Sequence, residues 1–166
     1  MFKKVKNFFR KIIKKYSQTR KENSMRSMVL YFAYGSNMNP ARMAKRCPGA
    51  ITLGRAKLPH YRLAERLYAD IEFEEDSELH GVLYCITENH LHKLDSYEGY
   101  PKVYRRIWLD VIFRGEMYQA VTYEMSMATK FIRAGIPFPD EYREICSEGA
   151  KYHHVKNYFI KRKVKK

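Results

Sequence analysis

From Met28 onward the apolar residues arrive in short β-branched and aromatic runs, each closed by glycine, proline, asparagine or acidic turn formers. That rhythm is strand-like, and no run approaches the roughly 20 residues that a membrane-crossing helix requires. Val29 to Tyr34 reads as a buried strand ending at Gly35, Ser36 and Asn37, and Asn39-Pro40 then opens a helix through Arg46. Asparagine caps free amides there, while proline at the first helical position sacrifices no hydrogen bond. Residues 51–68 alternate irregularly and supply strands. Ile71–Phe73 and Leu79–Ile86 are expected to form a hairpin around the acidic stretch Glu74–Glu78. A second hairpin joins Val103–Phe113 to Met117–Met125 across Arg114, Gly115 and Glu116. The spacing of Leu91, Leu94 and Tyr97 predicts a helix over 88–98, capped by Thr87 and stopped at Gly99. After Pro137 and Pro139, residues 140–150 read as a helix burying Tyr142 and Ile145 or Cys146, and a basic helix is expected from Val155. Helices enter singly and no βαβ alternation recurs, so the expected class is α+β with a mainly antiparallel or barrel-like sheet.

The net charge of +14 points to nucleic acid or an anionic membrane only until its distribution is read. Residues 1–27 carry +9 and residues 151–166 carry +7, which leaves −2 for residues 28–150. The expected division is a basic N-terminal extension over 1–27, a folded domain over 28–155 and a basic tail over 156–166. Phe2, Val5, Phe8, Phe9, Ile12, Ile13 and Tyr16 fall at helical spacing among lysines and arginines. This pattern suits peripheral contact of residues 1–16 with an anionic membrane, and equally an ordinary helix docked on the body. No specific nucleic-acid partner is expected of the domain. Cys47, Cys85 and Cys146 are odd in number and lack any Cys-x-x-Cys pair, which suits idle thiols in a reducing, cytoplasmic setting.

Two segments carry chemistry. Tyr31-Phe32-Ala33-Tyr34-Gly35-Ser36-Asn37 sets a glycine turn between a strand and a helix start, where backbone amides converge on an anion. A plain strand-to-helix connection has the same pattern. Leu94-Asp95-Ser96-Tyr97-Glu98-Gly99 puts a carboxylate in the last turn of a helix, where the dipole disfavours its charge and raises its pKa. A solvated glutamate before a terminating glycine is the alternative, and Asp95 competes for the acid/base role. His90 with His92, and His153 with His154, lack the spacing of a helical metal motif, so surface or core histidine is the better reading and no metal is expected. Ser36 has no evident base, which disfavours a serine hydrolase.

Taken together, the Tyr34-Gly35-Ser36-Asn37 turn and the later Glu98-Gly99 pair resemble the γ-glutamylcyclotransferase superfamily, whose members carry both in this order. The resemblance extends through Gly81-Val82-Leu83-Tyr84, Tyr104, Tyr123 and Pro139-Asp140-Glu141-Tyr142, and spans about residues 28 to 155. It implies a mainly antiparallel or mixed sheet curled into a small barrel with flanking helices. It also implies a γ-glutamyl amide substrate cyclised to 5-oxoproline without a cofactor, Glu98 as the catalytic residue, and Tyr31 through Asn37 as the substrate-holding turn. Tyr104, Tyr123 and Tyr142 correspond to pocket tyrosines, with core tyrosines of bonded hydroxyl as the other reading. The leaving group stays open between an amino acid and another amine, and a binding module on the same fold is the non-enzymatic alternative.

Overall fold

The computed structural model describes residues 28–160 together with the isolated helical positions Asn7 and Lys11, so the amphipathic pattern over 2–16 lies almost wholly outside the described residues. Five strands close into a barrel in the order β1-β3-β2-β4-β5. They are β1 (Met28–Ala33), β2 (Ile51–Arg66), β3 (Tyr68–Thr87), β4 (Tyr104–Phe113) and β5 (Glu116–Met125). All neighbours run antiparallel except β1 and β5, which meet in parallel through Tyr31 and Val121 and so close the ring. The mixed, curled α+β sheet anticipated from the sequence is the fold.

β3 is the central element. It pairs with β1 through Val82–Thr87 and with β2 along much of its length. From Val82 to Ile86 every residue is buried, because this stretch faces the barrel interior on one side and covering helices on the other. Gly81 fits where the backbone of β1 passes: an added Cβ would lie 2.4 Å from the Ala33 carbonyl oxygen.

The expected hairpin between Ile71 and Ile86 is not formed. The chain turns instead at Leu67, between Arg66 and Tyr68, and both halves of the anticipated hairpin pair with β2 rather than with each other. The acidic residues do leave the ladder: pairing jumps from Tyr61↔Phe73 to Pro59↔Glu78, so Glu74 to Ser77 bulge out where β2 spends only His60. Turn-forming composition was read correctly and its topological use was not, since a bulge and a hairpin turn draw on the same residues.

Among the described residues four α-helices flank the barrel: α1 (Pro40–Arg46), α2 (Glu88–Glu98), α3 (Met127–Ile132) and α4 (Asp140–Tyr152). The β4–β5 hairpin, α1 and α2 match their expected positions. In α4 it is Cys146, not Ile145, that is buried, along with Gly149 and Ala150. Residues 155–160 are not helical, although Phe159, beyond the expected boundary at 155, is buried against Phe138 at a ring separation of 5.5 Å. The three cysteines are free and buried, and burial pushes the Cys47 thiol up to about 11 and those of Cys85 and Cys146 to about 12. Among the described residues no helix is long and apolar enough to cross a membrane, and no group of three or more His, Cys, Asp or Glu is placed to hold a metal ion.

Candidate active site

Past the end of β1 the chain tightens into a single 3-10 turn over Ser36–Met38 and then enters α1. The leading amides of such a turn have no carbonyl partner within it. Asn39 caps α1 by accepting from the Arg42 amide at 3.2 Å, while its side-chain amide donates to Glu148 of α4 at 3.0 Å. Gly149 lets α4 press on this turn, for a Cβ there would come within 2.5 Å of both the Asn39 nitrogen and the Met38 carbonyl carbon. Gly35 is needed for a second close approach, since its Cβ would meet the Tyr142 hydroxyl at 2.9 Å. The turn is thereby fixed by packing from two sides.

Glu98 reaches the same place as the last residue of α2. A capping box starts that helix: Thr87 Oγ1 accepts from the His90 amide at 3.2 Å and His90 Nδ1 accepts from the Thr87 amide at 3.3 Å. Gly99 ends it in the left-handed region, φ 63°, with its amide donating to the Asp95 carbonyl. The Glu98 side chain is 17% exposed. Its Oε1 accepts from Asn37 Nδ2 at 3.1 Å and from Arg46 Nη1 at 3.4 Å. Arg46 also donates to Asn37 Oδ1 at 2.7 Å, and Asn37 donates to the Tyr31 hydroxyl at 2.7 Å, so four residues form one network.

Burial raises the Glu98 pKa, and the charge of Arg46, the Asn37 hydrogen bond and the charge of Arg42 pull it down less than burial lifts it. Removal from water is the main cause of the shift. Around Glu98 a hollow of about 30 Å³ is bounded by Tyr31, Tyr34, Gly35, Ser36, Asn37, Tyr104, Tyr123 and Tyr142. Each of these tyrosines is held above its usual pKa, first of all by burial, and remains a neutral hydroxyl. A larger cavity of about 510 Å³ shares Ser36, Glu98, Tyr104 and Tyr142 with the hollow.

The structure therefore brings together eight of the substrate-site residues expected from the sequence with Glu98. Phe32 and Ala33 do not line the hollow; the Phe32 carbonyl instead accepts from Thr122 Oγ1 at 2.8 Å across to β5. The tyrosines that line the hollow also have bonded hydroxyls. Tyr34 donates to the Tyr123 carbonyl at 2.6 Å and Tyr104 to the Ala69 carbonyl at 2.8 Å, while the Tyr142 hydroxyl accepts from the Ala69 amide at 3.1 Å. Asp95 does not line the hollow. Burial acts to raise its pKa, but Arg106 and the Tyr123 hydroxyl, 2.7 Å from Oδ1, hold it below the usual range, so it stays charged and bound to Tyr123.

Sequence reasoning missed Arg42 and Arg46, which project from one face of α1 at i and i+4, and Arg133 just beyond α3. The i,i+4 spacing directly after the glycine turn was a usable signal for the first two. Arg133 carried none, because only the tertiary fold brings it to this cavity.

A family model described as gamma-glutamyl cyclotransferase, AIG2-like, matches residues 31–143. No curated protein matches the chain in sequence. Among solved structures, a protein titled gamma-glutamyl cyclotransferase is 24% identical with a TM-score of 0.63, over 76% of this chain and 80% of that one. An uncharacterized protein from Homo sapiens is 22% identical with a TM-score of 0.65, over 84% of this chain and 94% of that one. YkqA from Bacillus subtilis is 27% identical with a TM-score of 0.67 over 89% of this chain, which spans 54% of its length. The family model covers the glycine turn, the Glu98 helix and the tyrosines of β4, β5 and α4, and the chain belongs to the gamma-glutamyl cyclotransferase, AIG2-like family.

Proposed function

We propose that the chain is a γ-glutamylcyclotransferase that converts a γ-glutamyl amide to 5-oxoproline and a free amine, with Glu98 as general base and then general acid. The observation that carries this reading is the Glu98 carboxylate itself: nearly buried, raised in pKa, and facing a hollow whose other titratable groups are neutral phenols. A carboxylate tuned upward toward neutrality suits reversible proton transfer.

In this mechanism Glu98 accepts a proton from the α-ammonium of the substrate. The freed amine attacks the γ-carbonyl carbon, forming the ring C–N bond and placing negative charge on the carbonyl oxygen. Protonated Glu98 then passes its proton to the amide nitrogen of the leaving group, the old C–N bond breaks, and the second proton of the ring nitrogen leaves with the departing amine as its ammonium ion. Nucleophile and electrophile belong to one molecule, so the protein has to hold a cyclising conformer, carry the proton and stabilise the oxyanion. The amides of Gly35 and Ser36 are donors for an anionic part of the substrate, either the α-carboxylate or the oxyanion. Asn37 and Arg46 hold the Glu98 carboxylate in place through the contacts described above.

The test is chromatographic detection of 5-oxoproline, with equimolar amine, from a panel of γ-glutamyl amino acids and γ-glutamyl amines. Release by the parent supports the reading. Absence of 5-oxoproline with every member of the panel, from protein shown to be folded, refutes it.

A further inference from the structure

We propose that Arg133, assisted by Arg42, determines specificity by binding a carboxylate carried on the leaving amine. This rests on the γ-glutamyl reading above and extends it to the part of the substrate that departs. The larger cavity beside Glu98 is lined by three arginines, Arg42, Arg46 and Arg133. Arg46 is committed to Glu98 and Asn37. The other two lack a carboxylate partner among the described residues. Arg42 donates to Ser36 Oγ at 3.2 Å, and the Arg133 guanidinium stands over the Tyr68 ring at 5.4 Å. Arg133 Nη1 is buried with no hydrogen-bond acceptor. Glu141, the cavity's other acidic residue, is exposed and pairs with none of the three among the described residues.

A guanidinium that lines a cavity without an anionic partner offers a planar fork of donors, which a carboxylate matches. The location decides which carboxylate. With the γ-carbonyl beside Glu98 in the small hollow, everything beyond the amide nitrogen extends into the larger cavity, where an amino-acid leaving group carries its carboxylate within two bonds of that nitrogen. A leaving amine bearing extra positive charge meets two uncommitted arginines and is repelled.

The experiment compares γ-glutamyl-alanine with γ-glutamyl-alaninamide, which share the glutamyl part and differ only in the leaving-group carboxylate. The parent is expected to favour the carboxylate in kcat/KM by at least about tenfold, the factor of one charge-assisted hydrogen bond. Arg133→Gln is expected to bring that ratio close to one, and Arg133→Lys to keep part of it. A parent ratio near one, or an Arg133→Gln variant that slows both compounds alike and so keeps the ratio, overturns the proposal while leaving the γ-glutamyl reading intact. Calorimetric binding of the two compounds to Glu98→Gln gives a readout without turnover. Preferential binding of the carboxylate form, lost when Arg133→Gln is added, supports the proposal. Equal or no binding of both overturns it, and no binding combined with no 5-oxoproline from the parent defeats both readings.

Discussion

Replacing Arg46 by methionine removes the strongest influence opposing the burial of ionised Glu98 while keeping an aliphatic stem over the Tyr97 ring. The guanidinium nitrogen stands 3.4 Å from the carboxylate oxygen. At an effective dielectric of about 20, a pair of charges at that distance interacts by about 5 kcal/mol, or roughly 3.5 pH units. Solvent at the exposed edge screens part of this, which brings the expected effect to about 1 to 3 units. The sign is fixed: Arg46 favours the charged form, so its loss raises the Glu98 pKa further. Glu98 has to be ionised to accept the substrate proton, and the acidic limb of kcat/KM reports its pKa in the free enzyme. In Arg46→Met that limb therefore moves to higher pH by about 1 to 3 units. The assay is 5-oxoproline release from one γ-glutamyl substrate across the pH range, for parent and variant in parallel. A uniform loss of rate with an unmoved acidic limb refutes the assignment of Glu98 as the titrating base.

The same raised pKa makes Glu98 a source of instability above its titration. Its contribution to folding is full below the unfolded pKa and is lost as pH rises through the folded one, so Glu98→Gln is expected to exceed the parent in urea midpoint near pH 8, with the gap closing toward about pH 4. The opposite order near neutral pH contradicts the burial argument. Gly149→Ala presses a methyl group into the backbone of Met38 and Asn39 and is expected to lower stability by about 1 to 3 kcal/mol in denaturant unfolding. An unchanged midpoint shows that α4 yields at this contact. Thr87→Ala removes the acceptor of the α2 cap and should cost about 1 kcal/mol, checked by the same unfolding measurement.

What was legible in the sequence was local. The β1 turn, the Asn39-Pro40 helix start, the Thr87-to-Gly99 helix and the β4–β5 hairpin are each specified by residues adjacent in the chain, and each stands where the pattern put it. The turn at Leu67 was missed because a leucine with φ 61° carries no turn composition, whereas Glu74–Ser77 carries it and is used as a bulge. α3 gave no signal, being six residues long with Met127, Phe131 and Ile132 exposed. Within the site, Tyr31, the glycine turn and Glu98 were accessible through motif order. The settings of Glu98 and Asp95 were not, because they depend on Arg46 and Arg106, which only the folded chain brings to those carboxylates.

If Glu98 moves the proton in γ-glutamyl cyclisation, kcat/KM for 5-oxoproline release separates the parent from Glu98→Gln, both verified as folded. Glutamine keeps the shape and an oxygen acceptor for Asn37 and Arg46 but has no base. Release by the parent is expected, with a fall of about 10² to 10⁴ in the variant, the range of a general acid/base. Equal turnover by the two proteins would contradict that role.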